Sequence, residues 1–125
     1  MAPILAVSCV VVGVRGVLLV QRGEPPFAGL WSLPGGRVLP GEDARAAVAR
    51  ETLEETSIAV AAGEELGKTN VAAYAITTFL ARPIDPAAVA QAGTDAVAAR
   101  WVAWSELAQY PLTPGLAELL ARVSR

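Results

Sequence analysis

The stretch that decides the fold is PGGRVLPGEDARAAVARETLEETSI, residues 34–58. Its first part, Pro34–Gly41, contains three glycines and two prolines and therefore predicts a structured loop. Asp43 is a favourable helix N-cap, and Ala44–Thr56 is rich in residues that favour helix. The stretch thus predicts a helix that is entered from a glycine-rich loop.

The segments on both sides of this helix predict strands, because they are short, apolar and rich in β-branched residues or alternate in polarity. The predicted strands are Leu5–Val12, Gly16–Gln21, Ile58–Ala61, Leu66–Val71, Ala73–Arg82 and Ala96–Val102. A turn is predicted at Gly13–Arg15, and loops are predicted at Arg22–Gly29 and Pro83–Thr94. A second helix is predicted at Pro114–Val123, with Pro114 in its first turn. This order predicts one domain over residues 1–125, an α/β/α sandwich (α+β) with a mixed central β-sheet between helices.

Composition restricts the chemistry that this chain can perform. The 125 residues carry a formal net charge of -2, which argues against a nucleic-acid polymer as partner. Histidine is absent, so a Ser-His-Asp triad, a Cys-His pair and His-ligated zinc are excluded. Cys9 is the only cysteine and lies in an apolar segment, which favours a buried thiol in a reducing, cytoplasmic compartment. That apolar segment is too short to span a membrane, so no membrane association is expected.

The predicted helix carries an unusual concentration of carboxylates. Glu51, Glu54 and Glu55 lie at i, i+3 and i+4 and share one side, and Ala46, Ala49 and Leu53 are expected to pack on the sheet from the other. Like charges at this spacing cost about 0.2–0.5 kcal/mol per pair, and acids in the last turn oppose the helix dipole by about 0.3–1 kcal/mol. A bound divalent cation would turn both costs into a gain.

This stretch resembles the Nudix box of the MutT-like hydrolases, residues 36–58, in the pattern Gly36-x5-Glu42-x7-Arg50-Glu51-Thr52-x-Glu54-Glu55-x-Ser57-Ile58. Every charged position and both long spacings of the box are present. Two positions depart from it: Thr52 stands where an aliphatic residue is usual, and Ser57 replaces the closing glycine. Thr52 is expected near the buried edge with its hydroxyl bonded back to a carbonyl, and Ser57 is strained by about 1–2 kcal/mol if its backbone is left-handed.

The resemblance implies hydrolysis of a pyrophosphate bond in a nucleoside diphosphate linked to another moiety. It implies Mg²⁺ or Mn²⁺, one to three ions, held by Glu51, Glu54, Glu55 and the Gly35 carbonyl. Arg50 is expected to hold a carboxylate in position for the metal. Glu42 is expected to lie near the start of the helix and to support the ligands without binding the metal itself. Asp95 is a candidate acid outside the box, although a plain loop aspartate explains it equally well.

The loop residues suggest substrate contacts. Arg22 and Arg37 flank the loops near the box and are candidates for binding phosphate, because a guanidinium donates in a fork. Phe27, in a proline-rich loop, is a candidate for stacking on a base. Trp31 and Tyr74 are more often core or sheet-face aromatics.

The residues 21–36 are similar to those of the smaller ADP-ribose pyrophosphatase-like members, which slightly favours ADP-ribose or a related dinucleotide. A nucleoside triphosphate pyrophosphohydrolase that removes oxidised or non-standard dNTPs remains an alternative. A non-catalytic nucleotide sensor and an acidic interaction module are further alternatives, against which the complete set of box carboxylates argues. A homodimer is compatible with the resemblance.

Overall fold

The computed structural model describes residues 2–93 and 95–124. Its elements in chain order are β1 (Ile4–Gly13), β2 (Gly16–Arg22), β3 (Trp31–Ser32), β4 (Gly35–Arg37), α1 (Ala44–Thr56), β5 (Val60–Val71), β6 (Tyr74–Pro83), β7 (Ala96–Val102), a 3₁₀ helix (Trp104–Gln109) and α2 (Leu116–Val123). Within these two ranges, no helix has the length and apolar character needed to cross a membrane.

The strands form one mixed sheet, as the sequence predicts. Its main path runs β3-β2-β1-β6-β5, while β4 pairs with β1 and β7 pairs with β2. Strands β1 and β6 are parallel over the register Ile4↔Tyr74 to Val11↔Ala81, and the other named pairs are antiparallel. The β-branched run Val10–Val12 suits β1 to this central position, which is flanked on both sides.

Alternation along β1 separates two cores. Val7, Cys9 and Val11 point toward α1 and pack in a cluster with Ala47 and Val48. Val10, on the other face, belongs to a cluster with Trp31, Leu116 and Leu120, which includes the inner side of α2. Side chains of a strand alternate between the two faces of a sheet, so a single strand contributes to both layers. The predicted α/β/α sandwich is confirmed, and Cys9 is fully buried as expected.

Three local predictions are corrected. Pro34–Gly41 is not loop throughout, because Gly35–Arg37 pairs with β1 as strand β4. The two strands predicted after α1 are one long strand, β5, whose pairing with β6 is irregular between Ala62 and Gly67.

Helix α2 begins at Leu116 with Gly115 as its N-cap, so Pro114 precedes the helix instead of lying in its first turn. The 3₁₀ helix at Trp104–Gln109 was not predicted, because its apolar residues are too few to show a period.

Candidate active site

Helix α1 meets the sheet with a face that the sequence does not predict. The buried residues are Ala47, Val48, Thr52 and Thr56, whereas Leu53 is 50% exposed and Ala46 is also exposed. The expectation that Ala46 and Leu53 pack on the sheet is therefore wrong, and only Ala49 makes partial contact with the core. At 100° per residue, the side chains of Glu51 and Glu55 fall within the inner half of the helix.

Strand β4 gives these inward carboxylates room. Gly36 lies opposite Val7 on the face of the sheet that α1 covers, and a Cβ on Gly36 would collide with the Glu51 carboxylate. The backbone N–H of Gly35 donates a 2.7 Å hydrogen bond to Oε1 of Glu55. The glycine pair thus has a steric function: it lets two carboxylates lie directly on the backbone of the sheet. Two consecutive glycines before an acidic helix are the sequence signal for this contact.

Arg50 joins the carboxylates into one network. Its Nε and Nη2 donate to the two carboxylate oxygens of Glu42 at 2.8 and 3.0 Å, and Nη2 also donates to the Arg37 carbonyl at 3.0 Å. Its Nη1 lies 3.3 Å from Oε2 of Glu51 and 3.3 Å from Oε1 of Glu54. These bonds raise the pKa of Arg50, and the forked contact lowers the pKa of Glu42. The bidentate geometry fixes Arg50 relative to the loop that enters α1.

Glu55 has the most perturbed carboxyl of the network. Its pKa is raised from 4.5 to about 7, chiefly by burial and with smaller contributions from the charges of Glu51 and Asp95. The Gly35 N–H and the charge of Arg22 act in the opposite direction. Burial also raises the pKa of Glu51. Desolvation therefore outweighs the available hydrogen bonds at Glu55, so a further positive charge beside it would favour its ionised form.

A buried polar contact supports α1 from below. The Thr52 hydroxyl donates to the Val48 carbonyl at 2.7 Å, which confirms the predicted back-bond, and lies 3.2 Å from the Cys9 sulfur. Because the hydroxyl proton is used, the Cys9 thiol is the donor of the second bond. Burial raises the pKa of that thiol to about 11, so it stays protonated at neutral pH. Ser57, the other departure from the box, has a left-handed backbone with φ of 64°.

The side chains fit a divalent cation as donors but do not form a closed cage. In residues 2–93 and 95–124, no three acidic or cysteine side chains converge closely enough to enclose an ion. Arg50 occupies the side shared by Glu51 and Glu54, while Glu55 turns to Gly35. Magnesium prefers oxygen ligands and is commonly held by one or two carboxylates plus substrate phosphates. The arrangement therefore fits an open site that a phosphate ligand would complete.

Of the candidate residues outside α1, Arg22, Asp95 and Phe27 belong to the side of the site near Glu55, whereas Arg37 does not. Arg22 and Asp95 lie close enough to Glu55 for their charges to act on its pKa. Nε of Arg22 donates to the Pro26 carbonyl at 2.7 Å, which ties this side chain to the loop that contains Phe27. Phe27 is 42% exposed.

The Arg37 side chain lies on the opposite face of the sheet from the carboxylates of α1. Gly36 faces α1, so the next residue faces the opposite side of the sheet, and the Arg37 guanidinium lies 6.0 Å from the ring centroid of Tyr74. The structure therefore separates the Arg37 side chain from the carboxylates, although its carbonyl binds Arg50. A phosphate contact by Arg37 stays a prediction.

Comparison with known proteins agrees with this geometry. The model of the NUDIX domain family matches residues 2–123. A Mycobacterium tuberculosis protein named "Putative 8-oxo-dGTP diphosphatase 2" is 38% identical over 118 residues, covering 90% of this chain and 83% of that protein. An ADP-ribose pyrophosphatase of Methanocaldococcus jannaschii is 41% identical over 56 residues, covering 45% of this chain and 33% of that protein. The crystal structure of a NUDIX hydrolase from Nitrosomonas europaea superimposes with a TM-score of 0.85 at 25% identity, covering 98% of this chain and 70% of that chain.

Proposed function

This chain belongs to the Nudix hydrolases, which act on phosphorus-containing anhydrides, and we propose that its own reaction converts a nucleoside triphosphate into a nucleoside monophosphate and pyrophosphate. Water attacks one phosphorus of the α–β anhydride, the bond from that phosphorus to the bridging oxygen breaks, and the bridging oxygen leaves with the other phosphorus, so that nucleoside monophosphate and pyrophosphate are released. The observation that carries the proposal is an open site in which Arg50 pairs with Glu51 and Glu54, and Glu55 accepts from the Gly35 N–H. The 118-residue similarity to the mycobacterial relative favours an oxidised purine triphosphate.

ADP-ribose is the second candidate substrate. Its pyrophosphate bond has the same chemistry, and water would release AMP and ribose 5-phosphate. The similarity of residues 21–36 to ADP-ribose pyrophosphatase-like members supports it, as does the match to the archaeal relative. That match covers only 45% of this chain, so we place the triphosphate first.

Nudix hydrolases use divalent metals. Here Glu51, Glu54, Glu55 and the Gly35 carbonyl would hold Mg²⁺ or Mn²⁺, one to three ions. When bound, such ions neutralise phosphate charge and lower the pKa of bound water. The raised pKa of Glu55 is consistent with this role, because an added positive charge would favour its ionised form.

The chain's own residues would orient the substrate. Arg50 holds Glu51 and Glu54 in place through Glu42, because its forked contact fixes the guanidinium. Arg22 would donate to a phosphate with the nitrogens that Pro26 leaves free. Asp95, on the same side as Glu55, is the candidate acid from outside the box, and Phe27 is the candidate for stacking on the base.

The partner is a small nucleotide. We further propose that no nucleic-acid polymer binds, consistent with the net charge of -2, and that the buried free thiol of Cys9 suits the cytoplasm. A homodimer remains compatible with the family.

The test is a substrate panel with Mg²⁺ or Mn²⁺, comparing the wild-type chain with Glu54→Gln. Glu54 has a 58% exposed side chain, so its amide should leave the fold intact while turnover falls about 100- to 1,000-fold. Glu118→Gln, an exposed change on α2, is the matched control and should keep full turnover. Absence of turnover by the wild-type chain on every nucleotide, together with unchanged ligand binding by Glu54→Gln, would establish a sensor instead.

A further inference from the structure

A short segment of the loop before β7 lies along the last turn of α1. We call residues 91–93 the strap. The Gln91 N–H donates to the Thr56 carbonyl at 2.9 Å, and the Gly93 N–H donates to the Glu55 carbonyl at 2.8 Å. A Cβ on Gly93 would collide with the Glu54 carbonyl oxygen. The strap therefore touches the peptide groups of the two glutamates nearest the end of the helix.

The end of α1 needs these donors. The last carbonyls of a helix lack partners within it, and they form the negative end of the helix dipole. Two acids, Glu54 and Glu55, lie in this turn, and it contains no basic residue. The Ile58 N–H binds the Thr56 hydroxyl at 3.2 Å and not a carbonyl of the turn. The backbone donors of the strap thus satisfy carbonyls where the local charge is already unfavourable.

The strap is itself held in place. Upstream, the Ile84 N–H donates to the Ala59 carbonyl at 2.9 Å, and the indole N–H of Trp101 donates to the Ala88 carbonyl at 3.1 Å. Ala88 and Ala90 pack against the core cluster on the α1 side of the sheet. Because the loop is anchored to the core, its donors can fix the end of α1 and do not merely follow it.

We propose that Gly93 is a positioning residue for the reaction. Its backbone, free of a side chain, holds the Glu54 and Glu55 peptides so that their carboxylates reach a metal and phosphate in the correct geometry. Gly93 is the only glycine between Pro83 and Ala96, so the close approach depends on this one position. The turnover part of this inference rests on the proposed function, whereas the metal-binding part does not.

The test is Gly93→Ala in the full chain, with Gly63→Ala as the matched control. A Cβ on Gly63 would lie 3.2 Å from the Leu80 carbonyl, so the control perturbs strand β5 without touching the strap. Three readouts are needed: Mn²⁺ binding by electron paramagnetic resonance with the metal alone, thermal unfolding, and kcat and KM. For Gly93→Ala we expect Mn²⁺ affinity to fall about tenfold and kcat to fall about 10- to 100-fold, with KM within about threefold. The Gly63→Ala control should keep the Mn²⁺ affinity and kcat of the wild-type chain.

A second variant guards against misfolding. Gln91→Pro removes the donor to Thr56 without adding a side chain near Glu54, and we expect a smaller loss in the same two readouts. Wild-type Mn²⁺ affinity and kcat in both variants, measured well below their unfolding temperatures, would overturn the proposal. If the wild-type chain turns over no nucleotide, the proposed function fails, and the Mn²⁺ comparison still decides whether the strap positions the carboxylates.

Discussion

Helix α2 buries Leu116 and Leu120 and exposes Glu118 and Arg122, so its polar and apolar residues lie on separate sides. Helix α1 mixes them. Beside the buried Val48 its inner half carries Glu55, whose pKa is raised by burial, while the 50% exposed Leu53 points outward. Both helices pack on the same sheet, from opposite faces.

The difference shows which helix was shaped by packing alone. An amphipathic helix gains stability from apolar burial, and α2 follows that rule. In α1, burial of carboxylates costs free energy, and the cost is limited by Arg50, by the Gly35 N–H and by the glycine strand beneath. A structural element that retains such a cost usually serves a site. The contrast predicts that substitutions in α1 change activity and that substitutions in α2 change stability.

The largest expected effect is on turnover. Glu55→Gln removes one of the three carboxylates and should lower kcat about 100- to 1,000-fold, equivalent to about 3–4 kcal/mol of transition-state stabilisation. The fold should persist, because the amide is neutral and can still accept from the Gly35 N–H. Steady-state kinetics with saturating Mg²⁺, beside circular dichroism, measures both. If Glu55→Gln instead unfolds the chain while the remaining folded fraction stays fully active, Glu55 serves stability and not turnover. The contrast between α1 and α2 would then not hold.

The next effect is on stability. Leu120 is 1% exposed in the core under α2, and Leu120→Ala should lower the free energy of unfolding by about 2–5 kcal/mol through lost burial and a cavity. Turnover per folded molecule should stay within about twofold, because α2 lies on the opposite face from the carboxylates. Urea denaturation and kcat, normalised to folded protein, test this. Leu119→Ala, at a half-buried neighbour, is the matched control and should cost less.

The sequence predicts the features of these helices that depend on local contacts. Asp43 caps α1 as expected, accepting from the Arg45 and Ala46 N–H groups, and the helix spans Ala44–Thr56 as predicted. A cap, a glycine-rich entry and a box with fixed spacing are all encoded within a few residues.

The rotation of α1 about its axis could not be predicted in this way. It depends on strand β4, which pairs with β1 some thirty residues earlier and was predicted as loop. Only that long-range pairing reveals that two glycines leave space for carboxylates between helix and sheet. The strap at Gly93 was missed for the same reason, because its partner carbonyls lie on another element.

A third prediction concerns pH. Burial raises the pKa of Glu55 from 4.5 to about 7, so the native state keeps a proton that the unfolded chain releases between these values. The free energy of unfolding of the metal-free chain should therefore fall as pH rises through this window, by about 3 kcal/mol. The difference between wild type and Glu55→Gln, measured by urea denaturation in EDTA at pH 4.5 and 8, isolates this contribution. Glu118→Gln should show the same pH dependence as wild type, and a flat difference for Glu55→Gln would mean that folding leaves the pKa of Glu55 unchanged.

The smallest effect tests the ends of the two helices. Ser57 closes α1 with φ of 64°, a left-handed conformation that costs a residue with a side chain about 1–2 kcal/mol, whereas Gly115 opens α2 with φ of 84° and avoids that cost. Ser57→Gly should therefore raise the free energy of unfolding by about 0.5–1 kcal/mol, since the greater freedom of glycine in the unfolded chain cancels part of the gain. Gly115→Ala should lower it by about 1 kcal/mol for the converse reason. Urea denaturation of both variants tests this, and the change in the free energy of unfolding must be positive for Ser57→Gly and negative for Gly115→Ala. A loss of stability in Ser57→Gly would mean that the Ser57 hydroxyl, 3.5 Å from the Gln91 carbonyl, contributes more to holding the strap than its left-handed backbone costs.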